Sequence, residues 1–232
     1  MALLGKGVLA IWNGMKPSWD DEFVTWHVRE HILERVGLPG FLRGRRYVAI
    51  DGHPKYFNFY ETTGTEALTS EAYRTRLNAP TPWTTRVIAN FTDMSRTACD
   101  VVASFGLGEG TFVDAIRLSA AADANAFKAA IADKILKPAS EASGIVGAHL
   151  LQGEKSATGG DTAEKKLRGT PDQVADWVVL IEGLEQENID AIRRNVASNE
   201  AFIGAGAKSP IERGLYRLQF ALTKAGLQAI GR

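Results

Sequence analysis

The sequence predicts an α+β chain of two β-α-β-β-α-β units whose sheets close on each other as one barrel. Three observations predict it. Strand-like and helix-like segments follow the same order in both halves, which is the mark of a repeated unit. The strand sets are apolar on both faces, so each sheet needs helices on one side and a second sheet on the other. The length, 232 residues, is enough to bury a sizeable core.

In the first half, residues 8–12 form a compact apolar strand stopped by Asn13-Gly14. A helix follows, with Ser18 or Asp20 as its cap and Asp21-Glu22 in its first turn. Val24, Val28, Ile32 and Val36 recur every four residues and make one apolar stripe. His27 and His31 share a second face, with Trp26 and Leu33 on the opposite flank. Residues 41–50 read as the second strand, 51–54 as a turn, and Tyr56, Phe57, Phe59 and Tyr60 as an aromatic third strand. A shorter helix over 65–77 and strand-like material over 83–91 complete the unit. The order is ferredoxin-like.

The second half repeats it. Strands are expected at 112–118, 145–151, 174–184 and 215–222, with helices at 123–136 and 185–196. Residues 152–172, including Gly159-Gly160, read as a long exposed loop. The expected division is residues 1–96, bearing the site, and residues 97–232, with the polar insertion near 152–173. The break at 92–109 would serve as the connection, giving an intrachain pseudo-dimeric barrel.

Basic and acidic residues, 27 of each, cancel in the formal charge. Neutrality without a basic run gives no electrostatic support for nucleic acid or an acidic membrane as partner. Cys99 is the single cysteine, which excludes an internal disulfide framework. No apolar run approaches a membrane span, and the N-terminal residues lack a signal-peptide core, so a cytoplasmic location is expected. Monomer and homo-oligomer both stay open.

Trp26-His27, Glu30-His31, Pro39-Gly40-Phe41 and Arg45-Arg46-Tyr47 together resemble the N-terminal signature of the EthD-like branch of the dimeric α+β-barrel proteins. The resemblance implies that His31 matches the recurring histidine of the first helix. The wider superfamily includes monooxygenases, lactone isomerases, polyketide cyclases and haem proteins. This chain differs in holding both halves, and its second half has no equivalent histidine-bearing helix.

Imidazoles exchange protons near neutral pH, and a carboxylate can select their tautomer. His31 is therefore the candidate proton-transfer residue, with His53 or His27 assisting and Glu30 or Asp51 orienting. Arg45 is the candidate stabiliser of developing oxygen charge, together with Tyr47 or Tyr60, because a guanidinium fork suits planar oxygen acceptors. Trp12, Trp26, Phe57 and Phe59 would hold an apolar ligand body, with Trp83 beside them. For each of these side chains ordinary packing or surface pairing is the competing role.

His27-Val28-Arg29-Glu30-His31 lacks the order of the zinc-hydrolase motif, and no metal is assigned; a third ligand from His53, Asp51 or Glu30 is the alternative. Haem on His149 is a second alternative. Gly106-Leu107-Gly108-Glu109-Gly110 lacks a dinucleotide fingerprint, so no cofactor is expected. The leading functional expectation is a cofactor-independent lyase, isomerase or cyclase acting on a hydrophobic oxygenated small molecule. An EthD-like monooxygenase, a metal or haem enzyme and a non-enzymatic binding protein are the alternatives.

Overall fold

The computed structural model describes residues 3–121, 123–158, 160–169 and 172–231. Its strands are β1 (Gly7–Met15), β2 (Phe41–Asp51), β3 (Tyr56–Thr62), β4 (Phe91–Gly106), β5 (Phe112–Leu118), β6 (Ile145–Gly153), β7 (Trp177–Gly183) and β8 (Glu212–Thr223). They close into one antiparallel barrel in the order β1-β3-β2-β8-β5-β7-β6-β4. Each half contributes a ferredoxin-like sheet, β4-β1-β3-β2 and β8-β5-β7-β6. The sheets join where β2 meets β8 and where β4 meets β6.

Closure explains the strand sequences. One face of each strand points into the lumen and the other toward helices, so β3 and β7 are buried at every residue and show no simple polar alternation. The lumen is packed with aromatic rings: Phe57 lies 4.7 Å from Trp12, 5.7 Å from Tyr47 and 5.8 Å from Tyr216, centroid to centroid. Outside the second sheet, Phe127, Ile131, Ile135 and Leu136 fill the space over Trp177, Val179 and Ile181.

The first helix runs Asp20–Trp26, widens into a π turn at His27–His31 and resumes at Ile32–Gly37. The extra residue in the wide turn shifts the buried face. Phe23 and Trp26 are buried before the turn and Ile32 and Val36 after it, while Val24 and Val28 are only half-buried, so the four-residue stripe is interrupted. Neither Ser18 nor Asp20 caps the helix; Trp19 holds that position with no side-chain bond. Asp20, Asp21 and Glu22 in the first turn complement the helix dipole instead.

Three other expectations change. The strand expected at 83–91 is a helix, Pro82–Ile88, because Thr81 accepts from the Thr84 amide and Pro82 suits the first turn. The connection at 92–109 is largely strand: β4 pairs with β1 through Asp100 and with β6 from Cys99 onward. The expected loop at 152–172 forms two short helices, Lys155–Thr158 and Ala163–Arg168. Within it Glu164 is buried against Arg35 of the first half, while Lys155, Asp161 and Lys166 stay exposed. Gly159, Thr170 and Pro171, in that stretch, lie outside the described residues.

Candidate functional site

A cavity of about 220 Å³ opens between the outer face of the first sheet, the helices above it and the 155–172 segment. Strand register sets its floor. Leu9 stands opposite Tyr60, and Ile11 opposite Arg96, so side chains of β1, β3 and β4 share the outward face. On β2 the residue opposite Tyr60 is Gly44, where a Cβ would come within 2.7 Å of Ile32 Cγ1. The missing side chain lets the first helix settle onto the sheet.

The π turn organises the wall. Because its bond reaches five residues, Trp26 and His31 fall on one side, with ring centroids 4.3 Å apart. Trp26 Nε1 donates to Glu30 Oε1 at 3.1 Å and to Thr84 Oγ1 at 3.2 Å, which fixes the indole. His31 lines the cavity, and its buried Nδ1 has no hydrogen-bond partner. Burial first, then Arg35, His27 and Arg76, hold its pKa well below 6.5. The ring is therefore neutral at pH 7, the form in which an imidazole can act as an acceptor.

His27 is buried behind this wall, with Nε2 2.9 Å from the Tyr60 hydroxyl and its ring 5.5 Å from that of His31. Burial, followed by Arg46 and Arg35, lowers its pKa as well. Tyr60 also lines the cavity, and burial pushes its hydroxyl above the ordinary tyrosine value. It remains a protonated donor.

The structure separates the remaining expected residues from His31. Arg45 points into the lumen, where Nη1 lies 2.7 Å from Glu182 Oε2 and Nη2 lies 3.2 Å from Glu61 Oε1. Tyr47 and Phe59 flank that guanidinium, and Trp12 and Phe57 stack deeper in the lumen. Strand alternation, which puts Arg43 and Arg45 on the face opposite Arg46, places this set across the sheet from the cavity. His53 sits on an exposed turn, its side chain 74% accessible and 3.6 Å from Asp93. Beyond the turn Lys55 and Tyr56 reach Asp20 at the start of the first helix, but His53 itself does not line the cavity.

Sequence reasoning missed Arg35, Tyr73 and Arg96. Arg35 is 2% exposed and Nη2 meets Glu164 Oε1 at 2.5 Å. Arg96 donates to the Tyr73 hydroxyl at 3.1 Å and to the Thr158 carbonyl at 3.4 Å. The available signal was alternation in β4, where Met94, Arg96 and Ala98 face outward between the inward Ser95, Thr97 and Cys99.

The second half repeats the π turn at Ala132–Leu136, so Ala132 and Leu136 take the places of His27 and His31. Leu136 is packed among apolar side chains. His149 is fully buried in the lumen, with Nδ1 2.9 Å from Ser104 Oγ and Nε2 3.6 Å from Glu182 Oε1. These residues do not fit a haem. Nor does a cavity of about 220 Å³, below the roughly 300–1,000 Å³ of drug-sized sites, suit a tetrapyrrole. Among the described residues, no group of three or more His, Cys, Asp or Glu side chains is arranged to hold a metal ion.

The chain resembles an anthrone oxidase-like protein along its length: 12% identity, 97% of this chain and 96% of that one, TM-score 0.62. The fold is a dimeric α+β barrel, closed within one chain. A candidate monooxygenase from Lactobacillus acidophilus shares it at 10% identity, covering 94% of this chain and 97% of that one, TM-score 0.59. So does a mutant chlorite dismutase from Candidatus Nitrospira defluvii at 10% identity, 97% and 95%, TM-score 0.55. No family model and no curated protein matches the sequence, and these likenesses concern the fold. Among the described residues, no helix is long and apolar enough to cross a membrane.

Proposed function

We propose that this chain is an enzyme of the EthD-like branch that removes a proton from a compact ring compound bearing a carbonyl or phenol, with His31 as the base. The observation that carries the reading is a neutral imidazole, one nitrogen unpartnered, lining a cavity walled by both apolar and charged side chains. Tyr60, a protonated donor lining the same cavity, takes the oxygen-stabilising role that the sequence suggested for Arg45 with Tyr47 or Tyr60. Proton removal beside the carbonyl leaves an enolate whose oxygen this hydroxyl stabilises. Return of the proton to another carbon makes the reaction an isomerisation.

A second reading is favoured by the full-length likeness to an anthrone oxidase-like protein. In it the same carbanion meets dioxygen, and a ring methylene plus O2 gives a ring carbonyl plus water. Both readings share the first step. The test is loss of the carbon-bound proton signal of 2-tetralone and anthrone in deuterated water without oxygen, followed by oxygen uptake. The expected result is exchange that His31→Gln slows by about 10²- to 10⁴-fold. Exchange unaffected by His31→Gln, or no exchange of either compound, would contradict the proposal and leave a binding protein.

A further inference from the structure

We propose that the natural ligand of this cavity is a one- or two-ring carboxylate, anchored through its carboxylate by Arg96 and Arg35. The inference rests on the cavity assigned above and deepens that reading by naming the ligand class. Arg96 is the first ground. Among the described residues no carboxylate lies within salt-bridge distance of it, whereas Arg35, Arg45, Arg168, Arg193 and Arg213 each have one. Its hydrogen bonds go to neutral oxygens, the Tyr73 hydroxyl and the Thr158 carbonyl. Burial opposes its charge, but Tyr73 and the more distant Asp172 and Glu164 outweigh that, so the guanidinium faces the cavity charged and with no carboxylate in direct contact.

Arg35 is the second ground. Glu164 engages its Nη2, but its Nη1 is buried with no partner, and the side chain lines the same cavity. Overall the lining carries five Arg and Lys side chains against three Asp and Glu. One guanidinium with no carboxylate in direct contact and a second with an unpartnered Nη1 suit a planar carboxylate, which accepts through both oxygens. Leu9, Ile11, Leu68, Leu77, Phe91 and Met94 supply apolar surface for the ring body. The volume, about 220 Å³, favours one or two rings.

The test is calorimetric titration of the full chain with 1-naphthoate and with 1-naphthamide, which are close in shape and differ in charge. The acid is expected to bind about ten- to a hundredfold more tightly, as a charge-assisted hydrogen bond provides. Arg96→Gln should bring that ratio close to one while the amide still binds. Should that variant not fold, Arg96→Lys, which keeps the charge and loses the fork, is expected to lower the ratio. Equal affinities, tighter binding of the amide, no binding of either compound, or a ratio unchanged in the variant would overturn the proposal. Exchange of 2-tetralone that depends on His31 without any preference for the acid sinks this inference alone. A preference for the acid with exchange independent of His31 sinks the proton-transfer reading alone.

Discussion

The His31 imidazole lies against the Trp26 indole with centroids 4.3 Å apart, although the two residues stand five positions apart in one helix. Only the wide turn between them makes that contact. Trp26 is thus a positioning residue, held by Glu30 and Thr84. Trp26→Phe, which loses both bonds, is expected to lower kcat by about tenfold with little change in KM, because small misplacements of a reacting group are costly. Steady-state kinetics of 2-tetralone exchange read it; a change in KM alone would show that the indole only binds ligand.

Two carboxylate- and histidine-linked pH windows are expected in stability. His27 and His31 have folded pKa values below 6.5, so the unfolded chain binds their protons more tightly. Their contribution is full above about 6.5 and is lost as pH falls from there toward the folded values, at up to about 1.4 kcal/mol per pH unit for each. Glu182 behaves as a depressed carboxylate: burial would raise its pKa, but Arg45 and His149 outweigh it and hold it at about 2. That contribution is present above 4.5 and is lost as pH falls toward about 2. Urea unfolding across pH should show the first decline, flattened in the His27→Gln, His31→Gln double variant, and Glu182→Gln should remove the second.

Glu164 joins the inserted segment to the first helix through Arg35, with both side chains almost fully buried. Glu164→Ala strands the Arg35 charge and should cost about 3–5 kcal/mol. Adding Arg35→Met removes the stranded charge and should recover part of the loss. A double-mutant cycle by urea unfolding measures the coupling; simple additivity would mean that the pair contributes nothing as a pair.

Gly44 lets the first helix rest on the sheet beside Tyr60. Gly44→Ala is expected to cost about 1–3 kcal/mol through overpacking against Ile32. Unfolding at fixed pH measures it, and a neutral result would show that the helix has room to move.

The fold was legible because element order and turn residues are local. Pro39-Gly40 and the aromatic run 56–60 mark strand boundaries and both halves repeat the order, whereas Asn13-Gly14 only shifts the register of β1, which runs on to Met15. Pro82-Trp83 misled because its apolar residues suit a strand or a short helix, and the Thr81 cap decides between them. His31 and Tyr60 were legible as candidates, since both belong to the first unit. Arg35, Tyr73 and Arg96 were not, because the cavity is assembled across the first helix, the helix Glu71–Asn78 and β4 and then closed by a segment from the second half. Arg45 looked like a ligand anchor because its partner Glu182 is 137 residues away, and only barrel closure brings them together.

The most direct measurement is nuclear magnetic resonance of ring-labelled histidine in the full chain, titrated with pH and with 1-naphthoate. Four histidines make the spectrum assignable by substitution. The His31 ring is expected to titrate well below pH 6.5 when free, and 1-naphthoate to shift its signals and raise its midpoint as the Arg35 charge is compensated. His53, on its exposed turn, should not respond to the ligand. A His31 midpoint at or above 6.5 in the free protein, or His31 signals indifferent to the ligand, would contradict a neutral base facing the binding cavity.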